Sequence, residues 1–286
     1  MSIKIITDSG SEFTPEEAEQ RGLILLPINV RFDQEEYQAG FNLTNDEFYD
    51  KLVETDILPK TSAIAPGIYD ETFEAIQEAG DEAIYISITS ELSGTMQSAL
   101  IAQEDYEDCI SVVDSRLAAA GQYILVEQAL IYVSQGLSRQ EIVERLEEDR
   151  EHIKVIALLD TLEYLKKGGR INAATAAIGN MLSIKPVVIF DEGLVKLFGK
   201  AKGSKNGQNK LMQFVRDHGG INFERPFVLF YSGYSDALLQ KYIEDSYELY
   251  KEYSHELPVI QAGPVIGTYA GPGAIGLAFF EKDVEF

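Results

Sequence analysis

Short apolar runs alternate with amphipathic stretches over the first two thirds of the chain, and most of the apolar runs stop in small polar residues. Residues 3–7, 23–32, 82–89, 110–114 and 155–160 have the length and β-branched content of strands, with helical spacing between them. That order predicts βα units around an open, mostly parallel sheet. Two helix starts are marked by capping boxes, Thr44-Asn45-Asp46-Glu47 and Ser138-Arg139-Gln140-Glu141, in which hydroxyl and carboxylate satisfy each other's unpaired backbone N–H. Another helix is predicted over 67–79.

Beyond Asp160 the texture changes. The stretch LEYLKKGGRINAATAAIGNMLSIKP reads as helical, rich in small residues and basic for so acidic a chain. PVVIF and GLVKLF then form the arms of a hairpin around Asp191-Glu192-Gly193. A helix over 207–218, a strand over 226–232, a helix over 235–253 and a glycine-rich ending follow. The change in texture divides the chain into an N-terminal α/β domain, 1–160, and a C-terminal α/β domain, 161–286.

Composition narrows the function classes. The 286 residues are 45% hydrophobic and 25% charged, enough apolar mass for a sizeable core with room for a cavity. Lys and Arg number 24 against 47 Asp and Glu, a net charge of −23 that repels nucleic acid and anionic membrane surfaces. No apolar stretch reaches the roughly 18 residues of a membrane span, so stable membrane insertion is not expected. Cys109 is the single cysteine; it excludes an intrachain disulfide, reads as buried filler and fits a reducing cytoplasm.

Several chemistries lack their parts. The first domain has neither the GxxxxGK[ST] nor the GxGxxG phosphate loop, and no GxSxG nucleophile elbow occurs. His152, His218 and His255 read as solvated helix residues, too scattered for a metal site or a catalytic base, and ERLEEDREH reads as a solvated helix face. Catalytic residues, metals and cofactors are accordingly not expected.

Three stretches remain. In ISITSELSGTMQSA a strand breaks into a hydroxyl-rich turn that feeds a helix, aiming hydroxyls and free N–H groups at one point, which suits an anion. In KTSAIAP the adjacent hydroxyls of Thr61 and Ser62 sit in an apolar loop and need acceptors, although capping the next helix is a competing use. In GPVIGTYAGPGAIGLAFF the glycines permit close backbone approach, to a ligand or at a domain junction. Thr7-Asp8-Ser9, Thr89-Ser90, Asp114-Ser115 and Ser232-Gly233 end predicted strands, where α/β proteins gather their ligands; helix capping is the alternative for each.

Taken in order, ITDSGSEFT, KTSAIAPGIYDETF, ITSELSGTMQSA, VVDSRLAAAGQ, LEYLKKGGRI and GPVIGTYAGPGAIG resemble the DegV family across nearly the whole chain. The resemblance implies a two-domain DegV-like (EDD) fold in a bacterial cytosolic protein, with a ligand tunnel at the domain junction. It implies a carrier rather than an enzyme, holding one long-chain fatty acid such as palmitate or oleate. The carboxylate would be presented to the kinase subunit of fatty acid kinase, which makes an acyl-phosphate for phospholipid synthesis. Carried over by position, Thr61 and Ser93 hold the carboxylate. Ser62 lies alongside, Gly94 completes the turn, and Arg170 stands near the polar end or the junction. Two positions depart from the family pattern. Tyr269 stands where GTHxGPGA has histidine and supplies a neutral hydrogen bond only; Lys202 stands where the family has arginine and lacks its planar fork. A regulatory module that senses lipid without presenting it is the alternative reading. An esterase using Ser93 is the third, opposed by the missing elbow and base.

Overall fold

The computed structural model describes residues 2–55, 57–171 and 184–282; of the helix expected over 162–186, residues 172–183 lie outside the described residues, Glu163–Lys167 is helical, and Ile184–Pro186 already belong to a strand. In chain order, β1 (Ile3–Asp8), β2 (Ile24–Leu26), β3 (Asn29–Phe32), β4 (Glu35–Gln38), β5 (Lys60–Ser62), β6 (Glu82–Ser87) and β7 (Ile110–Asp114) build a first lobe. The second is built from β8 (Ile153–Leu158), β9 (Ile184–Asp191), β10 (Leu194–Lys202), β11 (Phe227–Tyr231), β12 (Val259–Gln261) and β13 (Ile275–Phe280).

The apolar runs of the first lobe form the expected parallel sheet, ordered β2-β1-β6-β7. The run 23–32, however, is two strands. Pro27 has no N–H to give a ladder, and the chain breaks there. β2 joins the parallel sheet, whereas β3 becomes the centre of a small antiparallel sheet, β4-β3-β5. The second lobe holds a six-stranded mixed sheet ordered β10-β9-β8-β13-β11-β12. Its pairs are antiparallel except β11 with β12. The division expected at residue 160 falls just after β8, and β8 is paired within this second sheet, between β9 and β13.

Both capping boxes are formed, at the heads of the Asn45–Glu54 and Arg139–His152 helices, and Thr14 and Glu17 make a third. The helix expected over 235–253 is interrupted at Ser246, whose hydroxyl turns back onto the Tyr242 carbonyl and leaves separate helices Ala237–Asp245 and Tyr247–Tyr250. Cys109 is half-buried rather than buried. The Ala120–Ser134 helix is apolar on nearly every side because it lies between the two sheets, touching β1 and β6 on one side and β8, β11 and β13 on the other. It is the shared core of the two lobes.

Candidate functional site

Where the two sheets face each other beyond that helix, a cavity lies between them, lined almost wholly by apolar side chains. One wall is the second sheet. Successive side chains of a strand alternate between faces, so Val155 and Ala157 of β8 face the cavity, whereas Ile156 and Leu158 enter the core on the far side. Val188, Ile189 and Phe190 of β9, Val195 of β10 and Phe230 of β11 extend that wall. The opposite wall comes from the carboxyl edge of the parallel sheet, through Ile28, Ile88, Ala118 and Ala119. The short helices Glu163–Lys167 and Pro264–Ala270 close the side with Leu165, Val265, Ile266 and Ala270.

The polar side chains on this lining are Thr61, Ser93, Arg170 and Tyr269; no acidic residue or histidine is among the described ones. Thr61 reaches it from β5, paired with Val30 of β3, and its Oγ1 lies 2.6 Å from Tyr269 Oη. Ser62, one residue on, points the other way and is exposed. Neither hydroxyl caps the following helix, because Ala65 occupies that position and makes no side-chain cap. Ser93 Oγ lies 2.8 Å from Thr95 Oγ1 and accepts the Thr95 N–H at 3.3 Å, at the start of the Thr95–Gln103 helix. Gly94 is exposed beside it; a Cβ there would lie 3.8 Å from Ala63 Cβ, so the two hydroxyl-bearing turns abut.

Arg170 ties the ends of this group together. Its Nε donates to the Leu92 carbonyl at 3.1 Å and its Nη1 to the Gly168 carbonyl at 2.8 Å, while the guanidinium lies 5.0 Å from the Tyr269 ring centre. The KKGGR turn has glycine at 168 for a steric reason: a Cβ there would sit 2.5 Å from Tyr269 Cδ1. The glycine-rich ending is likewise packed at the junction of the lobes, since a Cβ on Gly267 would meet Phe48 at 2.5 Å and one on Gly271 would meet Tyr164 at 2.3 Å. Lys202 stands apart, exposed at the end of β10 and outside the lining.

Most strand-end hydroxyls do not converge on the crevice. Thr89 Oγ1 donates to the Gly193 carbonyl at the hairpin tip. Ser115 closes its own turn with Leu117. Ser232 Oγ donates to the Gly271 carbonyl and accepts the Ala274 N–H. Short hydroxyls are consumed by the nearest backbone group before they can reach a ligand.

Two buried acids lie behind the walls: Asp8, which the sequence marks at a strand end, and Glu12, which it does not. Asp8 takes hydrogen bonds from Tyr85 Oη at 2.8 Å, the Ile88 N–H at 2.9 Å, the Gly10 N–H at 3.0 Å and Gln122 Nε2 at 3.3 Å. Burial pushes its carboxyl up and these donors oppose the rise. Since Ile88 lines the cavity, Asp8 fixes a piece of its wall. Gln122, one of two glutamines in the largely apolar Ala120–Ser134 helix, is the side-chain amide that reaches Asp8. Glu12 is the second, pushed up to about 8 by burial against a single backbone donor, Gly263.

The arrangement suits an elongated apolar guest with an anionic head among hydroxyls. Among the described lining residues no histidine or carboxylate stands beside Ser93 to act as a base. Among the described residues no group of three or more His, Cys, Asp or Glu could hold a metal ion, and no helix is long and apolar enough to cross a membrane.

Comparison with known proteins gives a consistent answer. The model of a family described as uncharacterised DegV proteins matches residues 2–282. A DegV domain-containing protein of Halalkalibacterium halodurans is 32% identical over 282 residues, covering 97% of this chain and 98% of the relative. Among solved structures, one described as showing fatty acid binding of a DegV family protein from Thermus thermophilus superposes with TM-score 0.86 at 27% identity, covering 99% of this chain and all of that one. A stearic acid-binding protein from Eubacterium ventriosum superposes with TM-score 0.84 at 26% identity, covering 99% of each.

Proposed function

The chain belongs to the DegV family, and we propose that it binds one long-chain fatty acid, of the palmitate or oleate class. In this reading the hydrocarbon lies in the interlobe cavity and the carboxylate among Thr61, Ser93 and Tyr269. The observation that carries the reading is the lining itself, apolar among the described residues except for one cluster of hydroxyls beside a guanidinium. An acyl chain of about 15 methylenes at about 0.8 kcal/mol each gives on the order of 12 kcal/mol from burial, an upper bound before the costs of ordering.

The head needs satisfied hydrogen bonds more than it needs attraction, since a desolvated carboxylate without partners costs several kcal/mol. A hydroxyl has one proton and two lone pairs. Thr61 can accept the proton of Tyr269 and give its own to the ligand, and Ser93 can accept the Thr95 N–H and do the same. Each hydroxyl donor is thereby polarised by the group behind it. Arg170 holds two backbone carbonyls, so it acts on the head through its field rather than through a bidentate fork. A carboxylate held by neutral donors keeps more charge on the oxygen that would attack a phosphoryl group.

That last point supports a carrier that presents the head to a partner kinase subunit in the cytoplasm, with exposed Lys202 on the docking surface. A lipid sensor without phosphoryl transfer is the second reading, favoured by tyrosine at 269 and lysine at 202 in place of the family's histidine and arginine. Denaturing mass spectrometry of an organic extract is expected to find one fatty acid per chain; none would overturn the binding. Acyl-phosphate formation with the cognate kinase subunit separates carrier from sensor.

A further inference from the structure

A second recess opens beside the cavity, lined by residues 12–16, by the head of the Asn45–Glu54 helix and by Gln261, Gly263 and Pro264. Its charged residues are Glu12, Glu16 and Asp46, without a lysine, arginine or histidine among the described ones. Glu12 is 8% exposed. Its Oε2 accepts the Gly263 N–H, whereas its Oε1 is buried and accepts nothing from the described residues. A Cβ on Gly263 would lie 3.0 Å from Glu12 Oε2 and 3.1 Å from Asn45 Oδ1, so the two side-chain acceptors converge on one part of the wall. Asn45 spends its Nδ2 on the Gln261 carbonyl at 3.3 Å. Glu12 also holds φ at 73°, a left-handed backbone that strains any residue but glycine and persists only where its surroundings fix it.

We propose that this recess binds a small primary ammonium ion, whose N–H groups donate to Asn45 Oδ1 and to the carboxylate of Glu12. A wall of acceptors calls for a guest rich in donors, and a chain of net charge −23 favours a cation. An anionic guest would find the helix heads at Thr14, Thr44 and Gly263 already facing the carboxyls of Glu12, Glu16 and Asp46, whose like charge opposes it. A divalent metal is disfavoured because no group of three or more acidic, histidine or cysteine ligands forms among the described residues.

The guest's charge would draw the proton from Glu12 into the solvent. The groups facing that carboxyl, Glu16 from the Pro15–Arg21 helix and Asp46 and Tyr49 from the Asn45–Glu54 helix, are all acidic, and Gln261, Gly263 and Pro264 bring no charge.

Isothermal titration of the full chain with ethanolamine hydrochloride at pH 7, in phosphate and in HEPES, tests this. The expected result is saturable one-to-one binding whose heat differs between buffers in proportion to a released proton. Choline chloride, which has no N–H, is expected to bind at least about tenfold more weakly, the loss that follows from removing charge-assisted hydrogen bonds. Glu12→Gln is expected to abolish proton release and weaken binding by a similar factor, with fatty acid content unchanged by mass spectrometry. Asn45→Ala is expected to weaken binding severalfold and keep the proton release, and it carries the test if the first variant does not fold. Absence of saturable heat, equal binding of choline or potassium chloride, or full binding by Glu12→Gln would overturn the proposal.

Discussion

The interlobe cavity and the Glu12 recess share a partition, the Pro264–Ala270 helix and the glycine before it. Gly263 and Pro264 face the recess, whereas Val265, Ile266, Tyr269 and Ala270 face the cavity. On one side the wall is apolar and its hydroxyls are paired with other hydroxyls; on the other it is a set of acceptors around a carboxyl with one donor. The difference teaches that burial alone does not decide what a pocket takes. The supply of unspent donors and acceptors does, and it is opposite in sign on the two sides of one short helix.

The largest test of that contrast fills one side only. Ala157→Trp places an indole in the middle of the β8 wall and is expected to cut fatty acid content below about a tenth of the parent, as overpacking of a closed site does. Ethanolamine binding at the recess should be unchanged; parallel loss of both would show that the two sides are not independent.

Next in size is pH dependence. Burial raises the Glu12 carboxyl from an ordinary 4.5 to about 8, so between those values the folded protein keeps a proton that the unfolded chain has released. Stability therefore falls as pH rises through that window, by up to about 1.4 kcal/mol per pH unit. Glu12→Gln should flatten the slope in urea unfolding at pH 5.5, 6.5 and 7.5, leaving the shares of Asp8 and Glu127, which burial also raises.

Smaller effects belong to the cavity's polar end. Ser93→Ala and Thr61→Val each remove one proposed donor and are expected to weaken fatty acid retention by about 1–3 kcal/mol, read by exchange against a labelled fatty acid. Full retention in Ser93→Ala would remove that serine from the site. Tyr269→Phe keeps the ring under Arg170 and loses only the hydroxyl behind Thr61, an expected cost of about 0.5–1.5 kcal/mol.

How much of this was legible follows from the range of the interactions. The parallel strands and capping boxes are local, and so is the hairpin tip, where Glu192 and Gly193 at φ 51° and 78° supply a tight turn. All could be read directly. Pro27 was equally local, but the apolar run around it concealed the break. Of the adjacent hydroxyls at 61 and 62, only Thr61 faces the cavity, a parity set by pairing with Val30 that no reading of KTSAIAP could supply. Glu12 was the least legible, because its burial depends on Gly263, 251 positions along the chain. Arg170, Tyr269 and Ser93 entered through family resemblance, and only the fold brings them around one cavity.

β8 carries one more consequence. The strand that supplies the middle of the cavity wall is made well before its neighbour β13, residues Ile275–Phe280, and stays open along that edge until they emerge. A nascent chain thus has no closed chamber to fill during synthesis. On the proposed function, lipid uptake would be an event of the finished molecule, and a ribosome stalled short of that strand would display a greasy half-groove for chaperones to cover.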